Sequence, residues 1–189
     1  MKRLAVFFPG IGYTVDKPLM YYSRRIAAGL GYEIKLLPYG GFPKKIIGSR
    51  ERMEASYQIA LRQTGEMLSD VDFSAYEELL FVGKSIGTIA AAQTASDPAV
   101  KERTRLVFYT PLEETFGFDC GDAIVFTGSA DPWVGQKESR IPALSGKKGY
   151  PCFLIPEANH SLESGDVQQD LKNLQKIMEE TERFIRGKE

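Results

Sequence analysis

The segment 83–87 reads Gly-Lys-Ser-Ile-Gly and contains a serine whose surroundings suit nucleophilic chemistry. An apolar run from Leu79 to Val82 leads directly into it, and the alanine-rich segment from Thr88 to Ala95 follows it. Short apolar runs favour buried strands and alanine favours helices, so the serine is expected at a sharp strand-to-helix turn. This is the pattern of the G-x-S-x-G nucleophile elbow, in which side chains at the two glycine positions would clash. Such a turn would lift Ser85 Oγ above the sheet at a helix N-terminus, where negative charge is stabilised.

Two other interpretations fit part of this segment. Gly83-Lys84-Ser85 resembles the end of a phosphate-binding G-x-x-x-x-G-K-[ST] loop, but that loop needs a glycine at position 78, where the chain has Glu78. A strand-to-helix turn can also carry glycine and serine by chance, because five residues make a short pattern. The other residues capable of chemistry must decide between chance and catalysis.

A serine hydroxyl needs a neighbouring base, and that base needs an orienting group. The only histidine is His160, in a loop directly after the last predicted strand; with no second histidine and no Cys/His cluster, a metal site is not expected. Enzymes built on this elbow place their acid between the serine and the histidine. Asp131, in Gly-Ser-Ala-Asp after the fifth predicted strand, fits best, although an Asp-Pro pair also commonly forms an Asx turn. Glu113 and Glu114 are the alternative acids.

An acyl-transfer serine also requires hydrogen-bond donors for the oxyanion. The backbone N–H of Ile86, directly after the serine, is one candidate. The second is expected from the Pro-Gly-Ile-Gly loop after the first strand, at Ile11, with Gly12 as the next candidate. Gly10-x-Gly12 also begins a dinucleotide-binding pattern, but Val15 stands where the third glycine would be required.

Alternating strands and helices must position these residues. Apolar runs predict six strands and amphipathic or alanine-rich segments predict the helices between them, which together indicate an α/β/α sandwich around a mostly parallel sheet. Ligands of such sheets bind at the carboxyl ends of the strands, and all the loops that carry candidate residues fall at that edge. The strands are expected at 4–8, 33–37, 79–82, 105–110, 123–127 and 151–155, and the helices at 19–30, 51–68, 88–95 and 166–186.

The bulk properties restrict the classes of partner. A chain of 189 residues without an evident linker is expected to form one domain, residues 1–189. A net charge of −1 gives no reason to expect nucleic acid or an anionic membrane as a partner. The N-terminal apolar run is too short for a secretion signal, and no segment is long enough to span a bilayer, so a cytoplasmic protein is expected.

Cysteine and basic clusters add no further site. Cys120 and Cys152 have neither metal-like spacing nor an evident disulfide pattern. The basic pairs at 44–45 and 147–148 are short and lack interleaved aromatic residues, so solvated loops are expected there.

Taken in order, the opening strand-Pro-Gly-x-Gly loop, the elbow at 83–87, Gly-Ser-Ala-Asp131 and Asn-His160-Ser-Leu resemble the α/β-hydrolase superfamily over nearly the whole chain. The similarity is greatest to small lidless members, such as dienelactone-hydrolase-like esterases and thioesterases. The resemblance implies Ser85 as nucleophile, His160 as base and Asp131 as orienting acid. It implies Ile11 and Ile86 as oxyanion donors, no cofactor, and a small-molecule ester or thioester as substrate. It also places the second strand outside the first, with the elbow strand on the first strand's other side.

The chain departs from the family pattern in two ways. The usual opening hairpin is absent, which leaves a minimal six-stranded sheet, and no lid-sized insertion separates the fourth and fifth strands. Without a lid, a shallow, open pocket is expected. Lys84 could lie at its mouth and favour anionic substrates, or form a structural ion pair. The candidate pocket residues are Gly12, Tyr13, Lys84, Leu112, Phe116 and Trp133, and core packing is an equal alternative for each aromatic residue among them.

The leading hypothesis is therefore a serine hydrolase of small carboxylic esters or thioesters. The same triad also serves amide and carbon–carbon bond hydrolysis. The rival from another class is a catalytically silent α/β-hydrolase fold that acts as a binding or regulatory module. The sequence leaves the acyl group, the leaving group and the oligomeric state open.

Overall fold

The strands of the protein form one sheet in which every neighbouring pair is parallel. The computed structural model describes residues 1–46, 49–134 and 140–187. The sheet order is β2-β1-β3-β4-β5-β6, so the second strand does lie outside the first and the elbow strand on its other side. The strands are β1 Arg3–Phe8, β2 Glu33–Leu36, β3 Glu78–Lys84, β4 Thr104–Tyr109, β5 Asp122–Gly128 and β6 Cys152–Ile155.

Helices cover both faces of this sheet and complete the three-layer α/β/α arrangement. Residues of α1 and α6 pack with one set of strand side chains, and residues of α2, α3 and α5 pack with the other. The described helices are α1 Pro18–Gly29, α2 Arg50–Leu68, α3 Ile86–Ala95, α4 Pro98–Lys101, α5 Ile141–Lys148 and α6 Val167–Arg186, with short 3-10 helices at Phe73–Ala75 and Glu113–Gly117.

Strand periodicity explains why two separate cores form. In β1, Leu4, Val6 and Phe8 point to the α2–α3 face. Ala5 and Phe7 point to the α1–α6 face. All five are almost fully buried, as expected for a strand covered on both sides. The sheet is therefore a rigid platform whose carboxyl edge is free to carry a site.

The helices that bound the site differ from the sequence prediction in a few places. β3 continues through Gly83 and Lys84, and α3 begins at Ile86, so only Ser85 separates strand from helix. The helix α5 was not predicted, because Pro142 and Gly146 interrupt any apolar repeat. It nevertheless forms, since Ile141 is buried on the core and its C-terminus is capped by a left-handed glycine.

The prediction of a solvated loop at 147–148 is therefore wrong. Both lysines belong to the last turn of α5, where positive charge is favourable beside the free carbonyl groups. Lys148 Nζ donates a hydrogen bond to Phe118 O at 2.7 Å, so this helix supports the segment that follows β4.

The β4–β5 connection is short, as the lidless pattern predicted. It consists of residues 110–121 and contains a 3-10 helix at Glu113–Gly117, so it is no separate lid. Among the described helices, none is both long enough and apolar enough to cross a membrane.

Candidate active site

Ser85 lies at the turn between β3 and α3 in a strained backbone conformation. Its φ of 55° and ψ of −123° are unusual for a residue with a side chain. Crowding explains the flanking glycines: a Cβ at Gly83 would lie 2.7 Å from Thr88 Cα, and a Cβ at Gly87 would lie 2.0 Å from Phe8 O. The tight turn places the hydroxyl at the N-terminus of α3, beside unpaired backbone N–H groups.

Three side chains from three different loops form a continuous hydrogen-bond chain. Ser85 Oγ lies 2.7 Å from His160 Nε2, and His160 Nδ1 lies 2.6 Å from Asp131 Oδ2. In the arrangement that satisfies both contacts, the serine hydroxyl donates to Nε2 and the Nδ1–H donates to the carboxylate. The histidine is thereby held in the tautomer that can accept the serine proton.

Asp131 is fixed by a second hydrogen bond. Its Oδ1 accepts from the backbone N–H of Trp133 at 2.9 Å, which forms the Asx turn that the Asp-Pro pair suggested. The other carboxylate oxygen remains available to the histidine, so one residue serves both purposes. The alternative acids lie elsewhere: Glu113 pairs with Arg140, and Glu114 lines the cleft described below.

The Asp131 loop and the His160 loop are joined by backbone contacts. A Cβ at Gly128 would lie 2.1 Å from Ala158 O, so only glycine lets the end of β5 approach this loop so closely. Ala158 O also accepts from Ala130 N at 3.0 Å, and Ser129 Oγ accepts from Glu157 N at 2.8 Å. No role for Gly128 was expected from the sequence; a glycine at the carboxyl end of a buried strand was the available signal.

Asn159 shapes the turn that presents the histidine, a role that was not expected from the sequence either. Its Oδ1 accepts from the backbone N–H groups of Ser161 at 2.7 Å and Glu163 at 3.3 Å. Its own N–H donates to Glu163 O at 2.9 Å. Thr110 Oγ1 donates to His160 O at 3.2 Å from the neighbouring β4 loop. The histidine therefore sits in a turn braced from both sides.

The protonation of His160 is governed by burial. Desolvation lowers the pKa of its imidazole below the usual 6.5, and the positive charge of Lys84 lowers it further. The hydrogen bond to Asp131 acts in the opposite direction. The Trp133 ring lies beside the imidazole, with 5.5 Å between ring centroids and 35° between the ring planes. The net effect keeps the imidazole neutral near pH 7, as a base must be.

Two backbone N–H groups are available beside Ser85. Ile11 and Ile86 both line the same cleft as Ser85 and His160. Neither N–H donates a hydrogen bond to another described residue. Ile86 is the first residue of α3, where the N–H has no partner within the helix. Both N–H groups therefore stay the candidate donors to an oxygen anion.

The cleft above Ser85 has a volume of about 1260 Å³. It exceeds the roughly 300–1000 Å³ of common small-molecule pockets. Residues 43–46, the first turns of α2 and the 112–118 segment all contribute to its lining. Apolar side chains dominate the lining, among them Ile46, Met53, Ile89, Leu112, Phe118 and Trp133.

Not every predicted pocket residue reaches this cleft. Leu112 and Trp133 line it, whereas Gly12, although exposed, does not. Tyr13 is 5% exposed and packs in the α1–α6 core. Phe116 packs into the core on the opposite face of the sheet.

The position of Lys84 differs most clearly from the sequence prediction. It is only 1% exposed and lies outside the cleft lining, so neither a position at the mouth nor a direct role in binding anionic substrates holds. Among the described residues it forms no salt bridge, although the charges of Asp131 and Glu163 attract it. As the last residue of β3, it points its side chain to the same face as Leu80 and Val82, beneath Tyr13.

Comparisons with known proteins bear on the fold. No protein-family model and no curated protein matches the sequence. A proposed hydrolase of the alpha/beta superfamily from Xanthomonas campestris pv. campestris is 11% identical over 100% of both chains, with a TM-score of 0.68. A serine hydrolase without a lid from Xanthomonas campestris is 15% identical over 97% of this chain and 81% of its own, with a TM-score of 0.63.

Dienelactone hydrolase from Anabaena variabilis is 16% identical over 94% of this chain and 84% of its own, with a TM-score of 0.58. At these identities the similarity concerns the backbone. The chain has the α/β-hydrolase fold in its small, lidless form.

Proposed function

We propose that the protein is a serine hydrolase that cleaves carboxylic esters or thioesters through an acyl-enzyme intermediate. The observation that carries this proposal is the unbroken hydrogen-bond chain from Ser85 through His160 to Asp131, with distances of 2.7 and 2.6 Å. The strained turn at Ser85 supports it, because such strain persists mainly where function requires it.

In the proposed acylation step, Ser85 Oγ attacks the acyl carbon while its proton passes to His160 Nε2. The carbonyl oxygen becomes an oxyanion and accepts hydrogen bonds from the N–H groups of Ile11 and Ile86. When the tetrahedral intermediate collapses, the bond to the leaving oxygen or sulfur breaks, and the imidazolium returns the proton to that atom. Asp131 stabilises the imidazolium throughout and keeps its own charge.

Deacylation repeats these steps with water. His160 takes a proton from a water molecule, which attacks the acyl-enzyme, and the same donors hold the second oxyanion. Collapse breaks the bond to Ser85 Oγ and returns the proton to the serine, and the carboxylic acid leaves. One water molecule is consumed, and Ser85 and His160 return to their starting protonation states.

The cleft indicates the kind of substrate. Its mainly apolar lining and large volume favour a substrate with a substantial apolar group rather than a short acyl ester. The proposal therefore keeps the ester or thioester chemistry expected from the sequence and changes the expected size of the substrate.

Steady-state turnover of a panel of p-nitrophenyl esters, acyl thioesters and anilides tests the proposal. We expect ester or thioester hydrolysis in the wild type and none in Ser85→Ala. Ser96→Ala is the matched control, because Ser96 caps the other end of the same helix α3 and should leave turnover unchanged. Turnover that survives in Ser85→Ala would rule the proposal out, and a folded, inactive wild type would favour a binding module.

A further inference from the structure

Lys84 occupies an unusual position for a lysine, directly before the nucleophile and inside the protein. Its side chain is 1% exposed and forms no hydrogen bond or salt bridge with another described residue. Its Nζ lies 4.8 Å from the centroid of the Tyr13 ring, within the range of a cation–π contact. Burial of an unpaired ammonium group is costly, so its presence at this point calls for a functional explanation.

Tyr13 belongs to the turn that carries one proposed oxyanion donor. Gly10 and Tyr13 exchange two backbone hydrogen bonds, of 3.1 and 3.3 Å, which close a tight turn around Ile11. A Cβ at Gly10 would lie 3.2 Å from both Lys84 O and Ser85 Cβ, so this turn packs directly on the elbow. The second donor, Ile86, belongs to the elbow itself. The Lys84–Tyr13 contact therefore joins the two halves of the proposed oxyanion hole.

We propose that Lys84 is a positioning residue for the oxyanion hole: its buried side chain holds the Tyr13 ring, and with it the 10–13 turn, against the nucleophile elbow, and the charge of its ammonium group strengthens this contact with the ring. This inference rests on the proposed function. It assigns Lys84 no contact with the substrate, because the side chain lies outside the cleft.

The charged and titratable groups around Lys84 come from three loops and one strand. The negative charges of Asp131 and Glu163 attract the Lys84 ammonium group. The positive charge of that ammonium group lowers the pKa of the His160 imidazole. Tyr109, its neighbour on β4, is fully buried with a raised pKa and stays neutral.

Tyr13 also stays neutral, because burial raises its pKa to about 12. Burial lowers the pKa of Lys84 to about 7, so this lysine changes charge near neutral pH. Two consequences follow for the wild type. As the pH rises through about 7, the ammonium charge is lost and kcat falls to a lower plateau. While Lys84 is charged, the pKa of His160 is lower, so the imidazole remains a neutral base down to a lower pH.

Steady-state kinetics of Lys84→Met as a function of pH test the inference. Methionine has a similar length and no charge. With p-nitrophenyl butyrate, we expect kcat at about pH 6.5 to fall roughly tenfold with little change in KM, because oxyanion stabilisation acts on the transition state. We also expect the step near pH 7 to disappear and the acid limb due to His160 to move to higher pH.

Lys17→Met is the matched control. Lys17 also lies over the Tyr13 ring, with Nζ 5.8 Å from the centroid, but it is exposed, so its loss should change neither kcat nor the pH profile. Tyr13→Leu keeps the lysine and removes the ring, and it should lower kcat as Lys84→Met does. This second variant tests the contact should Lys84→Met fail to fold.

Each outcome decides the inference. Wild-type kcat and an unchanged pH profile in folded Lys84→Met, or wild-type kcat in Tyr13→Leu, would overturn it while leaving the proposed function intact. An equal effect of Lys17→Met would also overturn it. Absence of Ser85-dependent turnover in the wild type is a different result, because it rejects the proposed function and this inference with it.

Discussion

His160 determines how the rate of the proposed reaction depends on pH below neutrality. Burial holds its pKa below the usual 6.5, and only the neutral imidazole can accept the Ser85 proton. We expect kcat/KM to fall with an apparent pKa below 6.5 as the pH decreases, in a limb separate from the step that Lys84 produces near pH 7. A profile from about pH 4 to about pH 7 for an activated ester measures this limb. An acid limb at or above 6.5 would show that the imidazole is not shielded as the structure indicates.

Lys84 makes the stability of the protein depend on pH in a definite direction. Its pKa is about 7 in the folded protein and near 10.5 when exposed, so between these values the unfolded chain binds more protons. The free energy of unfolding should therefore rise as the pH increases from about 7 to about 10. Below about pH 7, Lys84 is charged in both the folded and the unfolded protein, so the full free-energy cost of burying its ammonium group lowers the stability.

Lys84→Met removes that cost. We expect it to be more stable than the wild type by about 2–4 kcal/mol at about pH 6, with the difference shrinking toward about pH 10. Urea denaturation at several pH values measures the difference, and Lys17→Met, which alters an exposed lysine, should show none. Parallel stability curves for the wild type and Lys84→Met would mean that the lysine is not desolvated.

At the scale of elements, the approach of the β5 end to the β6 loop sets the distance between Asp131 and His160. A methyl group at Gly128 would lie 2.1 Å from Ala158 O, so Gly128→Ala must push the two loops apart. We expect kcat to fall on the order of 100-fold and stability to fall by about 1–3 kcal/mol.

Gly146→Ala is the control for that change. Gly146 lies inside α5, and a Cβ there would meet no atom within 4 Å. Alanine should leave kcat unchanged and stabilise the helix by about 0.5–1 kcal/mol. Kinetics and urea denaturation of both variants provide the comparison, and wild-type kcat in Gly128→Ala would show that the loop approach is not needed.

The elements themselves could largely be predicted from the sequence, because their signals are local. The apolar run before Gly83 and the alanines after Ser85 specify a strand and a helix wherever they stand in the chain. The helix α5 could not be predicted, since its stability comes from burying Ile141 against distant residues rather than from a repeat of its own. The same holds for Gly128, whose role depends on a loop thirty positions away in the chain.

At the scale of the whole molecule, the cleft is what the sequence could not reveal. The residues that line it belong to the β1 loop, the 43–46 segment, α2, α3 and the 112–118 segment. No local sequence pattern predicts that these segments enclose a volume of about 1260 Å³. The position of Lys84 was missed for a related reason. A lysine is normally exposed, and the burial of Lys84 beside Tyr13 brings together residues that are far apart in the chain. The residues of the candidate triad, in contrast, were recognisable from their types and order alone.

The size of the cleft predicts a preference for longer acyl chains. Burial of each methylene contributes about 0.8 kcal/mol, so kcat/KM should rise roughly two- to fourfold per methylene along a p-nitrophenyl ester series until the cleft is filled. Met53→Ser, which removes an apolar lining residue, should weaken this dependence. Met178→Ser is the control, because Met178 is half-buried on α6, away from the cleft lining. A decline from the shortest ester onward would contradict the prediction.

The central claim is that His160 and Asp131 make Ser85 nucleophilic, and intact-mass analysis with a fluorophosphonate probe tests it most directly. The probe forms a covalent bond only to an activated serine and releases fluoride, so no knowledge of the substrate is needed. We expect one adduct on the wild type and none on Ser85→Ala or His160→Ala under the same conditions. Folded wild-type protein without an adduct, or an adduct that persists on Ser85→Ala, would contradict the account.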